Sequence, residues 1–228
     1  MNINHPNKKA HNWLFYKLMG QRLTTLQKEL SGTIYDLGCG EKPYEAIFRA
    51  KGANYVGVDW SSTPHELKAD VVADLNAPLP IEDAQANFII SISVLEHLSE
   101  PQIMLNEAYR ILKPQGAFIM QVPFQWMIHE APYDFFRYTP FALEKMFKKA
   151  GFTTVEVEAM AGYFTTRALK FNYFSSRWIR GSYPRRALTY AILRPIWYLL
   201  QATAPLFDKL DYDWKLETIG YWIRATKN

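Results

Sequence analysis

The sequence predicts an α/β fold: a doubly wound, mostly parallel sheet of seven strands with helices on both faces. Three observations predict it. Short β-favouring runs alternate with helix-period stretches, the pattern of parallel strands joined by crossover helices. NFIISIS (87–93) is a near-continuous apolar run, as a strand covered on both faces requires. The first strand, in TIYDLGCG, runs straight into a glycine turn, and sheets of this kind bind ligands outside the carboxyl ends of their strands.

Each element can be justified in chain order. Residues 12–30 read as an amphipathic helix, with Trp13, Tyr16, Leu23, Leu26 and Leu30 at helical spacing and Ser31-Gly32 as its stop. The first strand begins at Thr33. Residues 43–51 read as a helix stopped by Gly52. NYVGVD (54–59) and ADVVADL (69–75) are the second and third strands, joined by the polar stretch WSSTPHELK with almost no room for a helix. After the fourth strand, Pro101 opens a helix over 101–113, and GAFIMQVP (116–123) is the fifth strand. Thr139-Pro140 caps a helix that runs to Ala150 and closes at Gly151. FTTVEVE (152–158) is the sixth strand and ETIGYWIRAT (217–226) the last. Between them Pro184, Pro195 and Pro205 are expected to break the chain into short helical pieces. The expected organisation is an N-terminal helical segment (1–32) and an α/β domain (33–228) that carries an insert over 163–216.

Composition narrows the function classes. The chain of 228 residues is 49% apolar and 21% charged, so its body is globular rather than disordered. One cysteine, Cys39, excludes an internal disulfide framework and any multi-cysteine metal site, and it reads as a small buried filler. No metal is expected. No apolar run reaches the roughly 18 residues of a spanning helix, and the start, MNINHPNKKAHNW, has no apolar signal core, so a cytoplasmic protein is the expectation. Charge is unevenly placed. Residues 163–207 carry seven basic side chains, no acidic one and eleven aromatics, which points to an anionic partner surface.

The chemistry-bearing residues should stand just after the strands. After the first come Asp36, Gly38 and Gly40; after the second comes Asp59, which at 21 residues past Gly38 can accept both hydroxyls of a ribose. A dinucleotide would need a third glycine near position 43. The chain has Glu41-Lys42-Pro43 there, which weighs against a nicotinamide or flavin dinucleotide. The loop after the fifth strand, PFQWMIHEAPYDFFRYT, gathers His129, Glu130, Tyr133, Asp134, Arg137 and Tyr138 within ten residues, as long functional loops do.

In this order YDLGCG, YVGVDWS, ADLNAPLPIEDAQANFIISISVLEHLSEP and LNEAYRILKPQGAFIMQVP resemble the class I S-adenosylmethionine-dependent methyltransferases, over about residues 33–158 and the terminal strand. The resemblance implies a Rossmann-like fold and S-adenosyl-L-methionine as cofactor. It implies that Asp36, Gly38 and Gly40 line the methionine side and that Asp59 holds the ribose, with Trp60 beside the adenine. Asp74 and Leu75 match the adenine-contacting position, and Val94 with Glu96-His97 matches the segment that walls the sulfonium. The chain departs from the pattern in its missing third glycine, its missing helix before the third strand and Asn87 in place of an aspartate. The family also joins its last two strands by a tight hairpin, where this chain inserts some fifty residues.

Methyl transfer to a hydroxyl needs an aligned nucleophile, exclusion of water and a base within hydrogen-bond reach. His129 is the expected base, with Asp134 orienting it and Arg137 binding an anionic group such as a phosphate or uronate. A structural Asp134–Arg137 ion pair that pins the loop is the competing reading. Phe135, Phe136 and Phe141 read as packing. HEAPYDFFRYTP further resembles methyltransferases found with bacterial surface-polysaccharide genes, which implies a glycan or lipid-linked glycan acceptor at the cytoplasmic membrane face. A small lipophilic acceptor such as a quinone precursor is the alternative, as is a non-catalytic cofactor-binding module. The insert is open to two readings, a helical lid or a contact with an anionic membrane over 163–207. Nucleic acid is not the expected partner, because SISVLEH stands where base-modifying relatives carry an Asn/Asp-Pro-Pro-aromatic string.

Overall fold

The computed structural model describes residues 5–49, 52–62 and 66–228. Residues 1–4 at the start, residues 50 and 51 at the end of the expected 43–51 helix and residues 63–65 in the WSSTPHELK stretch lie outside them. The chain divides into two compact units. One comprises the sequence up to Thr24 and Ala159–Ile219; the other comprises Thr25–Glu158 and Gly220–Asn228.

The second unit is the sheet. Its strands are β1 (Thr33–Leu37), β2 (Asn54–Asp59), β3 (Val71–Val72), β4 (Ala86–Ile92), β5 (Leu112–Pro123), β6 (Thr154–Ala159) and β7 (Gly220–Thr226), and they lie in the order β3-β2-β1-β4-β5-β7-β6. β1 pairs in parallel with β2 (Leu37 opposite Val58) and with β4 (Asp36 opposite Ile90), and β4 pairs in parallel with β5. β7 runs antiparallel to β5, from Pro123 opposite Gly220 to Ala117 opposite Thr226. The winding reverses between β1 and β4, so their carboxyl ends form the crevice where an open sheet binds ligand.

Short helices cover the sheet: α2 (Glu45–Phe48), α3 (Pro101–Ile111) and α4 (Pro140–Ala150). The Thr139 hydroxyl accepts the Ala142 N–H at 3.2 Å to open α4, and Gly151 closes it at φ +114, where an added Cβ would sit 2.9 Å from the Tyr109 ring. Ile34, Leu37, Ile89, Ile90, Phe118, Phe147 and Phe152 are buried between the layers. Each contributes about 1.5–3 kcal/mol relative to leaving it exposed. Asn87 works at the opposite end of the sheet from the crevice. Its Oδ1 accepts the Thr33 N–H at 3.0 Å and the Lys113 ammonium at 3.2 Å, tying β4 to β1 and β5.

Several boundaries differ from the sequence reading, among them the expected 43–51 helix, which is only Glu45–Phe48, and three have a cause in the strand pairing. The third strand shrinks from 69–75 to two residues, because only Val71 and Val72 take register partners, Val58 and Asp59, while Asp70 and Ala73 add one N–H bond each at its ends. The fifth begins at Leu112 rather than Gly116, because Leu112 pairs with Ala86 ahead of a register shift before Phe88. That pairing also ends α3 at Ile111.

The other unit is helical. It holds the start of α1 (Trp13–Gln27) with α5 (Tyr163–Ser176) and α6 (Tyr183–Asp208). The expected short pieces are not there: α6 is one helix of 26 residues with Pro195 and Pro205 inside it and Pro184 in its first turn. An interior proline costs about 3 kcal/mol. Packing offsets that here, since Leu193, Trp197, Gln201, Ala204 and Asp208 are buried in one stripe along the helix. Several of these anchors are polar. Trp197 Nε1 donates to Ser175 Oγ at 2.8 Å. Gln201 accepts the Leu14 N–H at 3.0 Å and donates to the Ala10 carbonyl at 2.9 Å. Asp208 accepts the N–H groups of Gly162, Phe164 and Thr165, so α6 supplies the cap of α5. Away from this stripe, Tyr183, Leu188, Ile192, Ile196, Tyr198, Leu199 and Leu206 are exposed beside Arg185, Arg186 and Arg194. Among the described residues, no helix is long and apolar enough to cross a membrane.

Candidate active site

The site is built at the carboxyl ends of β1, β2, β4 and β5. β1 delivers Asp36 and the turn Gly38-Cys39-Gly40. Gly38 (φ +80) and Cys39 both donate to the Val58 carbonyl, which folds the turn across β2. A side chain at Gly38 is excluded twice, by its left-handed backbone and by Val94, whose Cγ2 would lie 2.3 Å from an added Cβ. Val94 opens the segment after β4, so the two sides of the crevice touch here. Above Gly40 (φ +50) an added Cβ would meet nothing within 4 Å among the described residues.

Asp59, buried at the end of β2, braces the turn. Its Oδ2 accepts the Gly40 N–H at 2.7 Å and its Oδ1 the Trp60 N–H at 2.8 Å. Asp36 is also buried and accepts the Tyr55 hydroxyl at 2.7 Å. Burial pushes the Asp36 carboxyl up to about 7, with Tyr55 and Lys42 opposing and Asp59 adding to the rise. Burial likewise pushes the Cys39 thiol up to about 12, so it stays a protonated filler. Where a dinucleotide site would carry a third glycine, Lys42 crosses the bare backbone of Gly57 and pairs with Asp70 at 2.7 Å, and Asp70 in turn accepts the Gly57 N–H. Asp74 is exposed beyond β3, with its Oδ1 accepting from Asn76, and Leu75 beside it is buried.

The loop after β5 folds back onto the segment after β4. Phe135 N–H donates to the Glu96 carbonyl at 2.9 Å, and the Tyr138 hydroxyl to the Leu95 carbonyl at 3.0 Å. Tyr133 stands edge-on to Trp60, ring centroids 5.3 Å apart. His97 and His129 thereby meet, ring centroids 4.7 Å apart. Glu96 is fully buried between them: its Oε1 lies 3.7 Å from His97 Nε2 and 3.7 Å from His129 Nε2, and among the described residues neither carboxylate oxygen has a hydrogen-bond partner. Ser93 (φ +54) and Glu130 (φ +53) flank the trio in left-handed backbone, a strain that clusters at functional sites.

Asp134 accepts the His129 backbone N–H at 2.9 Å and lies 3.3 Å from His129 Nδ1. The Arg137 bonds and the His129 N–H hold Asp134 down at about 2 despite its burial. Burial pulls the His129 imidazole down, but the Glu96 and Asp134 carboxylates outweigh it and the net shift is upward. Arg137 grips Asp134 through both terminal nitrogens and donates to the Phe136 and Met127 carbonyls. In this arrangement it pins the loop. Phe135 and Phe136 are exposed on one side but pack against Tyr133, each other and Tyr138, whereas Phe141 is 80% exposed.

The sequence reading placed Glu96 and His97 on the cofactor side and His129 on the acceptor side, whereas all three meet at one point. It missed Tyr55 under Asp36, the Lys42–Asp70 strap and Ser93, whose hydroxyl donates to Gln121 Oε1 at 2.6 Å. Alternation of NYVGVD marked Tyr55 as inward-facing, which was the one available signal.

A family model described as a methyltransferase domain matches residues 10–157, well over half of the chain. The chain belongs to this methyltransferase domain family. Among curated relatives, a protein named a probable S-adenosylmethionine-dependent methyltransferase of Mycolicibacterium smegmatis is 25% identical over 126 residues, 52% of this chain and 48% of the relative. A ubiquinone biosynthesis O-methyltransferase of Pseudomonas aeruginosa is 27% identical over 94 residues, 36% of this chain and 40% of the relative. The matched stretch thus spans about half or less of the relatives' length. Among solved structures, an S-adenosylmethionine-dependent methyltransferase from Archaeoglobus fulgidus superposes with TM-score 0.58 at 16% identity, over 92% of this chain and 94% of that one. Phosphoethanolamine N-methyltransferase 2 of Haemonchus contortus, bound to S-adenosyl-L-methionine, gives 0.59 at 19% identity, over 96% of this chain and 56% of that one. These likenesses establish the Rossmann-like fold.

Proposed function

We propose that this member of the methyltransferase domain family transfers the methyl group of S-adenosyl-L-methionine to a hydroxyl of a glycan or lipid-linked glycan at the membrane face. One observation carries the reading: a glycine turn braced by a buried aspartate and a carboxylate with two imidazoles share one sheet edge. The residues present fit the cofactor. The open space above Gly40 leaves room for a ligand against the backbone, and Asp59 offers carboxylate lone pairs suited to a ribose diol. When bound, S-adenosyl-L-methionine supplies a methyl group already activated on a cationic sulfur.

The chain's own residues supply the rest. Gly38 and Gly40 cradle the donor, with Asp36 beneath it. Trp60, with Tyr133 edge-on to it, forms an aromatic wall beside the adenine position. Nε2 of His129 receives the proton of the acceptor hydroxyl, Asp134 fixes the imidazole from its Nδ1 side, and Arg137 holds Asp134. The basic, apolar exterior of α6 suits attachment to an anionic leaflet, where each basic residue contributes on the order of 1 kcal/mol.

Calorimetric titration with S-adenosyl-L-methionine, followed by transfer of labelled methyl to lipid-linked glycans, tests the reading. Micromolar binding with label in the glycan is expected; a protein that binds no S-adenosyl-L-methionine overturns it. A second reading, a small lipophilic acceptor such as a quinone precursor, draws support from the stretch similar to ubiquinone biosynthesis O-methyltransferase. Label in the quinone precursor alone would select it.

A further inference from the structure

We infer that Glu96, His97 and His129 form a binding site for a divalent transition-metal ion of the zinc class. Among the described residues these three offer ligand atoms that all lie within 4.8 Å of one another. Glu96 is 0% exposed and neither of its oxygens has a hydrogen-bond partner; His97 Nε2 is buried and equally unpartnered. Buried carboxylates are hydrogen-bonded, paired or metal-bound, because desolvation otherwise costs several kcal/mol. At 3.7 Å the two Nε2–Oε1 separations are too long for hydrogen bonds. They are close to the ~3.4 Å expected between two ligands about 2.1 Å from one tetrahedral ion.

The far sides of both rings support the assignment. His97 Nδ1 lies 2.9 Å from the Tyr133 carbonyl, which can only accept, so Nδ1 carries the proton and Nε2 presents a lone pair toward Glu96. His129 Nδ1 lies 3.3 Å from the Asp134 carboxylate and 3.3 Å from the Met127 carbonyl, two further acceptors, with Arg137 Nη2, itself bound to both of those acceptors, at 3.4 Å. Metal-binding histidines are oriented in this way, with the outer nitrogen on a carboxylate or a carbonyl. Two imidazoles and one carboxylate suit zinc-class ions, whereas magnesium and calcium prefer all-oxygen shells. Glu130 Oε2, 3.9 Å from His97 Nε2, stands at the rim of the trio.

Binding of the ion does not depend on the methyl-transfer reading. Its consequence does: with the ion in place His129 Nε2 is a ligand, and an acceptor hydroxyl on the ion's open position loses its proton to solvent through the lowered pKa.

The test uses the full chain stripped with a chelator, titrated with Zn2+ by calorimetry and with Co2+ by visible absorption. One equivalent of Zn2+ bound at micromolar or tighter dissociation constant is expected, with a tetrahedral Co2+ spectrum. Glu96→Gln, which keeps the shape of the side chain, and His129→Ala on the surface loop should each weaken Zn2+ at least tenfold. No saturable binding, or binding that both variants leave unchanged, overturns the inference. Titration of the same samples with S-adenosyl-L-methionine separates this failure from failure of the methyltransferase reading.

Discussion

The two units of this chain place their buried polar groups differently. The sheet unit encloses an apolar core and gathers its buried carboxylates, Asp36, Asp59 and Glu96, at one edge beside Gly38 and His129. The helical unit turns Gln201, Asp208, Asn172 and Ser175 inward and leaves Leu188, Ile192, Ile196 and Leu199 outside. An interior knitted by hydrogen bonds makes a helix pair specific without using up its apolar residues, which then stay free for a non-aqueous surface. The difference teaches that burial, more than composition, separates the unit that carries the candidate site from the unit proposed for attachment.

Four variants would sharpen or break that comparison, in falling order of effect. Trp197→Ala empties the largest buried site of the helical unit and removes the indole N–H bond to the Ser175 hydroxyl, which keeps its own bond to the Phe171 carbonyl; a loss of about 3–5 kcal/mol is expected in denaturant titration. His129→Ala should lower turnover about 10²-fold, near 2.7 kcal/mol, while S-adenosyl-L-methionine binding and melting temperature hold. Unchanged turnover would remove His129 from the chemistry. Asp208→Ala leaves three N–H groups at the start of α5 without their acceptor and should cost about 2 kcal/mol, read as a lowered melting temperature. Ile192→Ser on the outer face should change stability by less than about 0.5 kcal/mol yet reduce flotation with anionic vesicles. If that variant instead unfolds the protein, the exterior of α6 is a core and the comparison fails.

A pH scan addresses the sheet unit alone. The folded-state pKa of Asp36 is raised to about 7, so folding favours its protonated form. Its contribution to stability is present below about pH 4 and is lost as pH rises toward 7. Asp36→Asn should flatten that part of the melting-temperature profile between pH 4 and 7.

Much of the sheet edge was legible in the sequence because local rules govern it. A glycine turn after a β-favouring run and an aspartate at the end of the next strand require only strand periodicity to place. The trio was not legible, since Glu96 and His129 are 33 residues apart and meet only when the loop after β5 donates its amides back to the Glu96 carbonyl. The continuity of α6 was hidden for a related reason. Proline is a strong local signal, and what overrides it is a stripe of contacts with residues as distant in sequence as Leu14 and Ser175. Arg137 shows the limit of motif reasoning: its position was foreseen, but its terminal nitrogens are engaged within the loop.

The strand order has a consequence in time. β7 lies between β5 and β6, although about 60 residues of helical chain separate it from β6 in sequence. A ribosome adding 5–20 residues per second needs about 3–12 s to cross that interval. Throughout it β6 has no neighbour to pair with, and β5 shows an open edge to every other nascent chain and to any chaperone at the tunnel exit. The sheet that carries the site closes only when its seventh strand slides in between two strands that were made before it.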